Sequence, residues 1–554
     1  MKFSKIAKVA YFIILVTMLS ACKKLDLTPT DVFTDANFWT SVDKASSVLN
    51  QAYSTMFNAT PASNPNDNPP NPPNNFFFYN EALSDNAYNG RGDNAGAASI
   101  AAGTYDPALG RLRDEWRVNY TGIKTCHIFL ENVDRVPGMD NTLKERMKAE
   151  ARFIRAWHYF MLTTWFGDVP LFTKDPTVEE TKTTSRTPKA QVVSFILNEL
   201  DACAATLPVN TDYGIPDKGR ISKGAAIALK ARVLLYESRW ADVVTECEKL
   251  MSGNNGTYSL FPSYEGLFLQ QNEYNSEVIL DLQYVPQLRA HSEFFDIAPL
   301  SVGARTNALS PTQELVDSYL MLNGKRINES GSGYDENNPY ANRDPRLTYT
   351  VVYDQYDWKL PDGSVKKIYT KPGTDPNSAG PDEYRPGGIS SPTGYYFRKY
   401  YDPAAGINFI SGLNLILIRY ADVLLMYAEA KAEMDEMNAS VWNETIKPIR
   451  QRAGFTNPAA LDYNASANQV NVVRNERRTE LALEGLRIFD IRRWRIAEDV
   501  LNGWAHGAKF GPPGIDNGYI RANQRSFDAS RAYLWPIPQD ERALNPNLGQ
   551  NPGW

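Results

Sequence analysis

Long stretches of the chain carry apolar residues at every third or fourth position, whereas a central stretch lacks this periodicity. The clearest apolar stripe has spacings of four, three and four and is formed by Ile154, His158, Met161 and Trp165. Such spacing places the four side chains on one face of a helix. Gly167 then predicts the end of that helix. Because His158 lies on the apolar stripe, we expect a hydrogen-bonded core histidine rather than a ligand or a base.

The same pattern predicts several further helices. Thr40 is expected to cap one helix, with Asp43 at its third position, and Thr187-Pro188 opens another. A helical hairpin capped by Ser222 resembles a tetratricopeptide unit, and its small residues let the two helices approach closely. Helical stretches are predicted over residues 116–130, 143–165, 222–251, 415–434, 441–453 and 468–501.

Between residues 253 and 410 Gly, Pro, Asn, Tyr and Asp dominate, which predicts long loops, small hairpins and a few short helices. Leu347–Tyr353 is one of the short alternating pieces expected to form strands. We therefore predict a mainly α fold, a tetratricopeptide-like helical-repeat scaffold with a loop-rich, partly β insertion region. The body, residues 31–554, divides into an N-terminal helical part, the loop-rich part and a C-terminal helical part with a tail, at about 31–252, 253–410 and 411–554.

The N-terminus has the pattern of an export signal, with three lysines followed by an apolar run too short to span a bilayer. The segment Leu19-Ser20-Ala21-Cys22 resembles the bacterial lipobox, in which the thiol after the cleavage site takes a diacylglycerol. We predict a signal peptide over residues 1–21, a lipid anchor on Cys22 and a lipidated tether over residues 22–30. An ordinary secretory signal followed by a chance cysteine is the alternative.

Charge and cysteine content narrow the class of protein. Removing the signal with its three lysines lowers the formal net charge from −6 to −9. An acidic surface argues against nucleic acid as the partner. Beyond Cys22 the chain holds Cys126, Cys203 and Cys247, and an odd, sparse set is no disulfide framework. We expect buried free thiols, although one pair could be oxidised outside the cytoplasm.

An aromatic run follows a polar loop. Residues 61–75 are almost only Pro and Asn, which predicts an exposed loop. The run Phe76–Tyr79 comes directly after it. Exposed rings beside a polar loop would make a binding edge, whereas the start of a helix or strand would place the same rings in the core.

No familiar catalytic motif occurs: the chain has no nucleophile elbow, no His-Glu-x-x-His, no paired Cys-x-x-Cys and no P-loop. A glycosidase needs two carboxylates at a set separation, and no pair stands out. Residues 85–90 resemble a calcium loop, but the third position is Ala87 and no glutamate closes the loop. We predict no catalytic residue and no required cofactor, and a structural calcium ion stays open.

A basic cluster lies near the C-terminal end, interleaved with glutamates at spacings of three or four. Ion pairs are the expected role of these side chains, rather than an anion site. The cluster consists of Arg474, Arg477, Arg478, Arg487, Arg492, Arg493 and Arg495.

An ordered set of motifs, spanning nearly the whole mature chain, resembles the SusD/RagB family of outer-membrane nutrient-binding lipoproteins. The segments that carry the resemblance are Glu150–Ala156, Trp165–Leu171, Gly224–Val233, Arg343–Leu347, Arg419–Leu425, Tyr427–Ala430, Arg450–Gly454, Arg474–Arg478, Leu534–Pro538 and Gln550–Gly553. Their arginines and glutamates fit ion pairs between stacked helices. Their prolines fit an extended tail that straps across the body. The motifs therefore identify the fold and not the ligand site.

The resemblance implies a non-catalytic binding protein, lipid-anchored in the outer membrane and facing the cell exterior. It would capture an oligosaccharide and deliver it to a SusC-like TonB-dependent transporter. Two other functions stay open. The same architecture could bind peptides for import, because tetratricopeptide-like helices also form peptide grooves. A glycan-degrading enzyme is the other, and the missing motifs argue against it.

Sugars present apolar ring faces and a belt of hydroxyls, so a site for them needs exposed aromatic rings beside polar side chains. Two stretches offer that mix, one from Asn80 to Tyr105 and one from Tyr284 to Asn307. The candidate ligand-binding residues are Asp85, Asn86, Tyr88, Asn89, Arg91, Tyr284, His291, Arg305 and Trp358, and the further candidates are Gln287, Arg289, Asn307 and Tyr334.

Overall fold

The computed structural model describes residues 38–57, 76–286, 288–291, 294–304, 306–377, 380–402, 405 and 411–554. Across these ranges, none of the helices has both the length and the apolar character needed to cross a membrane. Helices occupy most of the two ends, and the strands lie mainly between them. This distribution confirms the mainly α prediction.

The α-helices are numbered here in chain order. They are α1 Val42–Thr55, α2 Phe76–Ala82, α3 Ala97–Ala101, α4 Gly110–Asn132, α5 Asn141–Phe166, α6 Val178–Thr183, α7 Lys189–Thr206, α8 Lys223–Tyr236, α9 Trp240–Met251, α10 Phe294–Ile297, α11 Gln313–Ser318, α12 Pro345–Thr350, α13 Tyr420–Glu433, α14 Ala439–Glu444, α15 Ile446–Ala453, α16 Pro458–Leu461, α17 Gln469–Glu480, α18 Arg487–Arg493, α19 Ala497–Val500 and α20 Gln539–Leu544.

The strands of the described ranges are short and form two-stranded antiparallel ribbons. They are β1 Ala87–Asn89, β2 Val278–Leu282, β3 Leu309–Pro311, β4 Val351–Val352, β5 Tyr356–Lys359, β6 Val365–Ile368, β7 Tyr396–Phe397, β8 Leu415–Arg419, β9 Gly503–His506 and β10 Arg521–Arg525. The ribbons pair β1 with β3, β2 with β8, β4 with β7, β5 with β6 and β9 with β10.

The scaffold is a row of helices in which each packs against the next. In order, the row is α1, α4, α5, α7, α8, α9, α13 and α17. Successive hairpins that bury their shared faces in this way make a helical-repeat scaffold. The last two members come from the C-terminal part of the chain. The loop-rich region is therefore an insertion between α9 and α13.

Local capping signals account for the helix ends. The Ser222 side chain accepts the N–H three residues on (3.3 Å) and begins α8. Asp140 does the same at α5 (2.9 Å), and Gly167, with φ 73°, ends that helix. The predicted cap at Thr40 is one residue early, because Ser41 accepts the N–H of Lys44 at the start of α1.

Several predicted elements differ in the structure, and residues 468–501, for example, form three separate helices, α17, α18 and α19. Residues 415–419 form β8, and only from Tyr420 does the chain become the helix α13. The apolar run pairs with β2 and is largely buried there, which favours an extended strand over a helix. Leu347–Tyr353 holds the end of α12 and the two residues of β4, rather than one longer strand.

The core contains the aromatic run and the helical histidine. Phe76, Phe78 and Tyr79 lie in α2 and are at most 2% exposed, so the core interpretation is confirmed. The imidazole of His158 contacts Thr55 (2.8 Å) and Asn119 on its two nitrogens. Burial lowers the pKa of His158 to about 3, so this is a neutral core histidine, as expected.

The three cysteines are buried free thiols, which confirms the prediction made for Cys126, Cys203 and Cys247.

A buried ion network joins the insertion to the C-terminal helices. Its centre is Arg419, whose guanidinium contacts three carboxylates at 2.6–2.7 Å. The network holds equal numbers of cations and carboxylates, and each buried charge pairs with one of opposite sign. Its cations are Arg346, Lys399, Arg419, Arg450 and Arg452, and its carboxylates are Glu277, Asp344, Glu476, Glu480 and Glu484.

A second buried network lies where α8, α13, α17 and α18 meet. Asp422 accepts from Arg232 and Arg477 (2.5 Å each). Arg477 also binds Asp490 (2.8 Å), which pairs with Arg493 in turn. Burial alone would raise the pKa of Asp422, but the two arginines hold it well below its ordinary value. The ion-pair role predicted for Arg477 and Arg493 is confirmed.

The C-terminal tail straps across the N-terminal helices, as its prolines predict. The N–H of Trp535 donates to the carbonyl of Trp165 (2.8 Å). The Asn551 side chain donates to the carbonyls of Phe166 (2.9 Å) and Trp535 (2.7 Å). Arg186 donates to Asn551 Oδ1 from the other side. The tail thus packs against the C-terminal end of α5, an inner member of the helical row.

Candidate functional site

The ribbon of β1 and β3 brings the first stretch selected from the sequence, Asn80–Tyr105, next to the residues just after the second, Tyr284–Asn307. Tyr88 lies opposite Ser310, and Asn89 lies opposite Leu309. Beyond the ribbon, the N–H of Gly90 donates to the carbonyl of Ala308 (2.8 Å). Residues about 220 positions apart in the chain therefore meet at one edge.

A third segment completes this edge. The N–H of Asn307 donates to the carbonyl of Ile389 (3.1 Å), and Pro392 packs against Gly90. A Cβ atom at Gly90 would lie 2.3 Å from Pro392 Cγ, so only glycine lets the two segments approach so closely. We name this edge the β1–β3 surface and define it by Tyr88, Gly90, Arg91, Thr306, Ile389 and Ser390.

The β1–β3 surface offers one aromatic ring and several polar atoms. Tyr88 and Arg91 are half-buried, and Ile389 is 59% exposed. Arg91 Nε, Thr306 Oγ1 and Ser390 Oγ are enclosed and have no hydrogen-bond partner among the described residues. Burial raises the pKa of Tyr88, which keeps its hydroxyl neutral. The half-buried Tyr88 and Arg91 side chains and the exposed Ile389 can therefore contact a ligand, whereas the enclosed hydroxyls of Thr306 and Ser390 support the surface from within.

Asp85, Asn86 and Asn89 lie beneath this surface and are at most 5% exposed, which corrects the expectation of exposed polar side chains there. Asp85 binds Arg487 (2.7 Å) and Arg478 (3.1 Å). Burial would raise the pKa of Asp85, but the arginines hold it well below its ordinary value. These side chains support the surface from below because their hydrogen bonds are used within the protein.

Tyr284 and His291 are also buried, at 9% and 5% exposure. Their rings make an edge contact with centroids 4.6 Å apart, and His291 Nε2 lies 2.9 Å from the carbonyl of Leu413. Tyr284 packs against Phe57 as well, with centroids 4.9 Å apart. The two side chains tie the second stretch to β8 and α1. They are not the accessible ligand contacts that the sequence predicts.

Trp358 is fully buried, so the prediction that it forms an exposed platform is wrong. The Trp358 ring contacts the Tyr401 ring edge-on, with centroids 4.7 Å apart. The guanidinium carbon of Arg398 lies 4.7 Å from the centroid of the Trp358 ring. Alternation along β5 explains the result, because residues 356 and 358 face the core while 357 and 359 face solvent.

The further candidates are scattered. Asn307 is buried, Tyr334 is half-buried beside Arg343, and the exposed Arg289 lies over the ring of Phe57 at 4.4 Å. None of these three is in the β1–β3 surface as defined. Cys22, Gln287 and Arg305 lie outside the described residues.

The described residues offer no metal centre. Within the ranges given above, no group of three or more His, Cys, Asp and Glu side chains could hold an ion. The carboxylate that would begin a calcium loop, Asp85, is instead bound by Arg478 and Arg487.

One exposed aromatic residue was not singled out from the sequence. Trp504 in β9 is 38% exposed, and the Arg521 guanidinium lies over its ring at 5.2 Å. Arg525, at the end of the partner strand, donates to the carbonyl of Ala87 (2.6 Å), so this hairpin packs against the start of β1. A lone tryptophan between Gly503 and Ala505 carries no periodic signal that could have revealed its exposure.

Comparison with known proteins agrees with this architecture. A family model described as "SusD family" matches residues 276–554. A second model, described as "Starch-binding associating with outer membrane", matches residues 27–235.

The relatives match most of the chain. SusD-like protein P25 of Formosa agariphila is 25% identical over 461 residues, which cover 79% of this chain and 78% of that protein. SusD-like protein P2 of the same bacterium is 23% identical over 561 residues, which cover 98% and 99%. The crystal structure of a SusD-like carbohydrate binding protein from Bacteroides fragilis has a TM-score of 0.82 and 29% identity, and the match covers 92% of this chain and all of that one. The chain belongs to the SusD/RagB family.

Proposed function

We propose that this protein binds an oligosaccharide at the cell surface and that the β1–β3 surface is its glycan contact. The observation that carries the proposal is the placement of the half-buried Tyr88 and Arg91 and the exposed Ile389 at one edge, where β1, β3 and the segment before Pro392 come together. Membership of the SusD/RagB family supports it. The description of the second matching family model as starch-binding supports it further.

Each part of this surface matches a part of a sugar. The half-exposed ring of Tyr88 offers an apolar face for the C–H groups of a pyranose. The Arg91 guanidinium is a donor only, whereas the hydroxyls of Thr306 and Ser390 both donate and accept. A sugar hydroxyl can accept from the half-buried Arg91 guanidinium, whereas the enclosed hydroxyls of Thr306 and Ser390 support the surface from within. The exposed Ile389 extends the apolar contact.

The carboxylates that flank Tyr88 and Arg91 in the sequence are held by other groups of the protein, which fits binding without turnover. Asp85 is held ionised by Arg478 and Arg487, so it has no proton to give to a leaving group. Asp93 accepts from the N–H of Ala98 (2.8 Å) and from Ser99, which fixes it at the start of α3. A glycosidase would need a free acid here beside a second carboxylate.

We also propose that Cys22 carries a lipid that anchors the protein in the outer membrane, facing outward, and that a TonB-dependent transporter receives the ligand. The export-signal pattern before Cys22 supports the anchor. The description of the matching family model as associating with the outer membrane supports the location. Labelling with a radioactive fatty acid, compared between the natural chain and Cys22→Ser, tests the anchor.

The test of ligand class is calorimetric titration of the mature chain without its lipid against soluble glycans and against peptide digests. We expect saturable binding of at least one glycan, with no products released during the titration. Binding of peptides with no binding of any glycan would contradict the proposal. Release of shorter sugars by the purified protein would establish an enzyme instead.

A further inference from the structure

A cavity of about 210 Å³ lies beneath the C-terminal tail, away from the residues that define the β1–β3 surface. Aromatic rings form part of its wall, and three guanidinium groups face it. The lining residues that matter here are Tyr105, Trp165, Trp554, Arg492, Arg525 and Arg531. The volume is below the range of roughly 300–1,000 Å³ that is typical of pockets for drug-sized ligands. The cavity therefore suits a molecule of about the size of one sugar residue.

Two of these arginines are more than nine-tenths buried and have no carboxylate within ion-pair distance among the described residues, although Asp85 and Glu314 lie close enough to Arg525 to attract its charge. Arg492 is 8% exposed, and its Nε donates to the carbonyl of Tyr533 (3.1 Å). Arg525 is 5% exposed, donates to the carbonyls of Ser84 and Ala87, and has an enclosed Nε without a partner. Carbonyl oxygens satisfy N–H groups but do not neutralise the charge.

This arrangement differs from the two buried ion networks, in which each arginine faces carboxylates. At the cavity only Asp528 supplies a negative charge, and it is exposed and pairs with Arg531 (3.1 Å). Three cations and one anion leave a positive excess in a partly enclosed site. Burial lowers the pKa of Arg492 to about 10, so this group stays charged at neutral pH. Arg492 has no carboxylate nearby among the described residues, so burial of its charge is unfavourable and a bound anion would relieve the cost.

We propose that this cavity is a second binding site, for a small ring-shaped molecule that carries one carboxylate. The carboxylate would lie between Arg492 and Arg525, and the ring would pack against the rings of Tyr105 and Trp554, whose centroids are 4.9 Å apart. Arg531, whose guanidinium lies over the Trp554 ring at 4.4 Å, would add a third positive charge near Asp528. Such a carboxylate could come from a uronic acid or from an aromatic acid.

The test is titration of the mature protein with glucuronate, benzoate and glucose at low ionic strength. We expect an acid to bind and neutral glucose to bind at least tenfold more weakly. Tighter binding of glucuronate would identify a sugar acid as the source, and tighter binding of benzoate an aromatic acid. Absence of binding by both acids at millimolar concentration would overturn the proposal.

Two variants at the partly exposed rim avoid disturbing the buried arginines. Arg531→Gln should weaken binding of the acid at least fivefold, and Asp528→Asn should strengthen it, because the first removes an attractive charge and the second a repulsive one. Arg542→Gln, an exposed position outside the cavity, is the matched control. Equal affinities for all three variants would place the acid elsewhere and refute the assignment.

Discussion

The indole ring of Trp535 stacks on that of Trp165, with centroids 3.8 Å apart and 9° between the ring planes. Both side chains are at most 2% exposed, although one belongs to the long helix α5 and the other to the C-terminal tail. The backbone N–H of Trp535 also donates to the carbonyl of Trp165 (2.8 Å). The tail is therefore part of the core.

Trp535→Ala should destabilise the protein by about 3–5 kcal/mol, the usual cost of truncating a buried aromatic side chain to alanine. The free energy of unfolding from urea titration measures this loss. Leu544→Ala is the control, since Leu544 lies in the same tail and is 60% exposed. If both substitutions cost less than about 1 kcal/mol, a range usual for surface changes, the tail does not belong to the core.

Arg419→Met should be similarly severe for an electrostatic reason. The change leaves Glu277, Glu480 and Glu484 buried with fewer cations, and breaking a buried pair typically costs about 3–5 kcal/mol. Arg117→Met is the matched control, because Arg117 pairs with Glu541 at 2.7 Å on the surface. The free energy of unfolding, measured by urea titration, should fall much more for Arg419→Met than for Arg117→Met. Equal losses would show that burial of the network does not increase its contribution to stability.

Asp281→Asn should change how stability depends on pH. Asp281 accepts from Asn414 (2.9 Å) in the core, and burial raises its pKa from 3.8 to about 7. Because the folded pKa is the higher one, the carboxyl stabilises the fold fully below pH 3.8 and loses this contribution as pH rises through 7. The loss is about 1.4 kcal/mol per pH unit within that window.

The asparagine side chain has no charge to lose, and its oxygen can still accept from Asn414. The stability of Asp281→Asn relative to the natural chain should therefore rise between pH 5 and pH 7 and level off above it. Urea titrations at four pH values test this, and a difference that stays constant with pH would contradict it.

The three free thiols should resist labelling in the native state. Burial raises the pKa of Cys126 to about 12, and all three sulfur atoms are enclosed, so neither thiolate nor access is available. We expect no reaction of a chain lacking Cys22 with a thiol reagent before unfolding and three thiols per chain after it. Fewer than three after unfolding without reductant would reveal a disulfide.

Local signals made much of the helical scaffold predictable. The stripe ending at Gly167 and the cap at Ser222 depend on residues a few positions apart, and both appear in the structure. Residues 415–419 were misassigned because their partner strand β2 lies more than 130 residues away. Pairing with this distant strand, and not the local residue pattern, determines that residues 415–419 form a strand.

Most of the candidate site residues are buried, and their burial also depends on residues that are distant in the sequence. Asp85 lies in a segment that looks like an exposed loop, but Arg487, 402 positions on, binds it inside the protein. Trp358 is covered by Tyr401 and Arg398. Of the candidate residues predicted from the sequence, Tyr88 and Arg91 are the two in the β1–β3 surface.

The most direct test of the glycan-binding proposal is calorimetric titration of Tyr88→Ala and Arg91→Ala with a glycan that binds the natural chain. Tyr463→Ala is the control, because this half-buried tyrosine contacts Trp442 in the C-terminal helical part. We expect each of the two variants to bind at least tenfold more weakly, a loss of about 1.4 kcal/mol, with an unchanged melting temperature. Unchanged affinity in both folded variants would contradict the proposal that the β1–β3 surface binds the glycan.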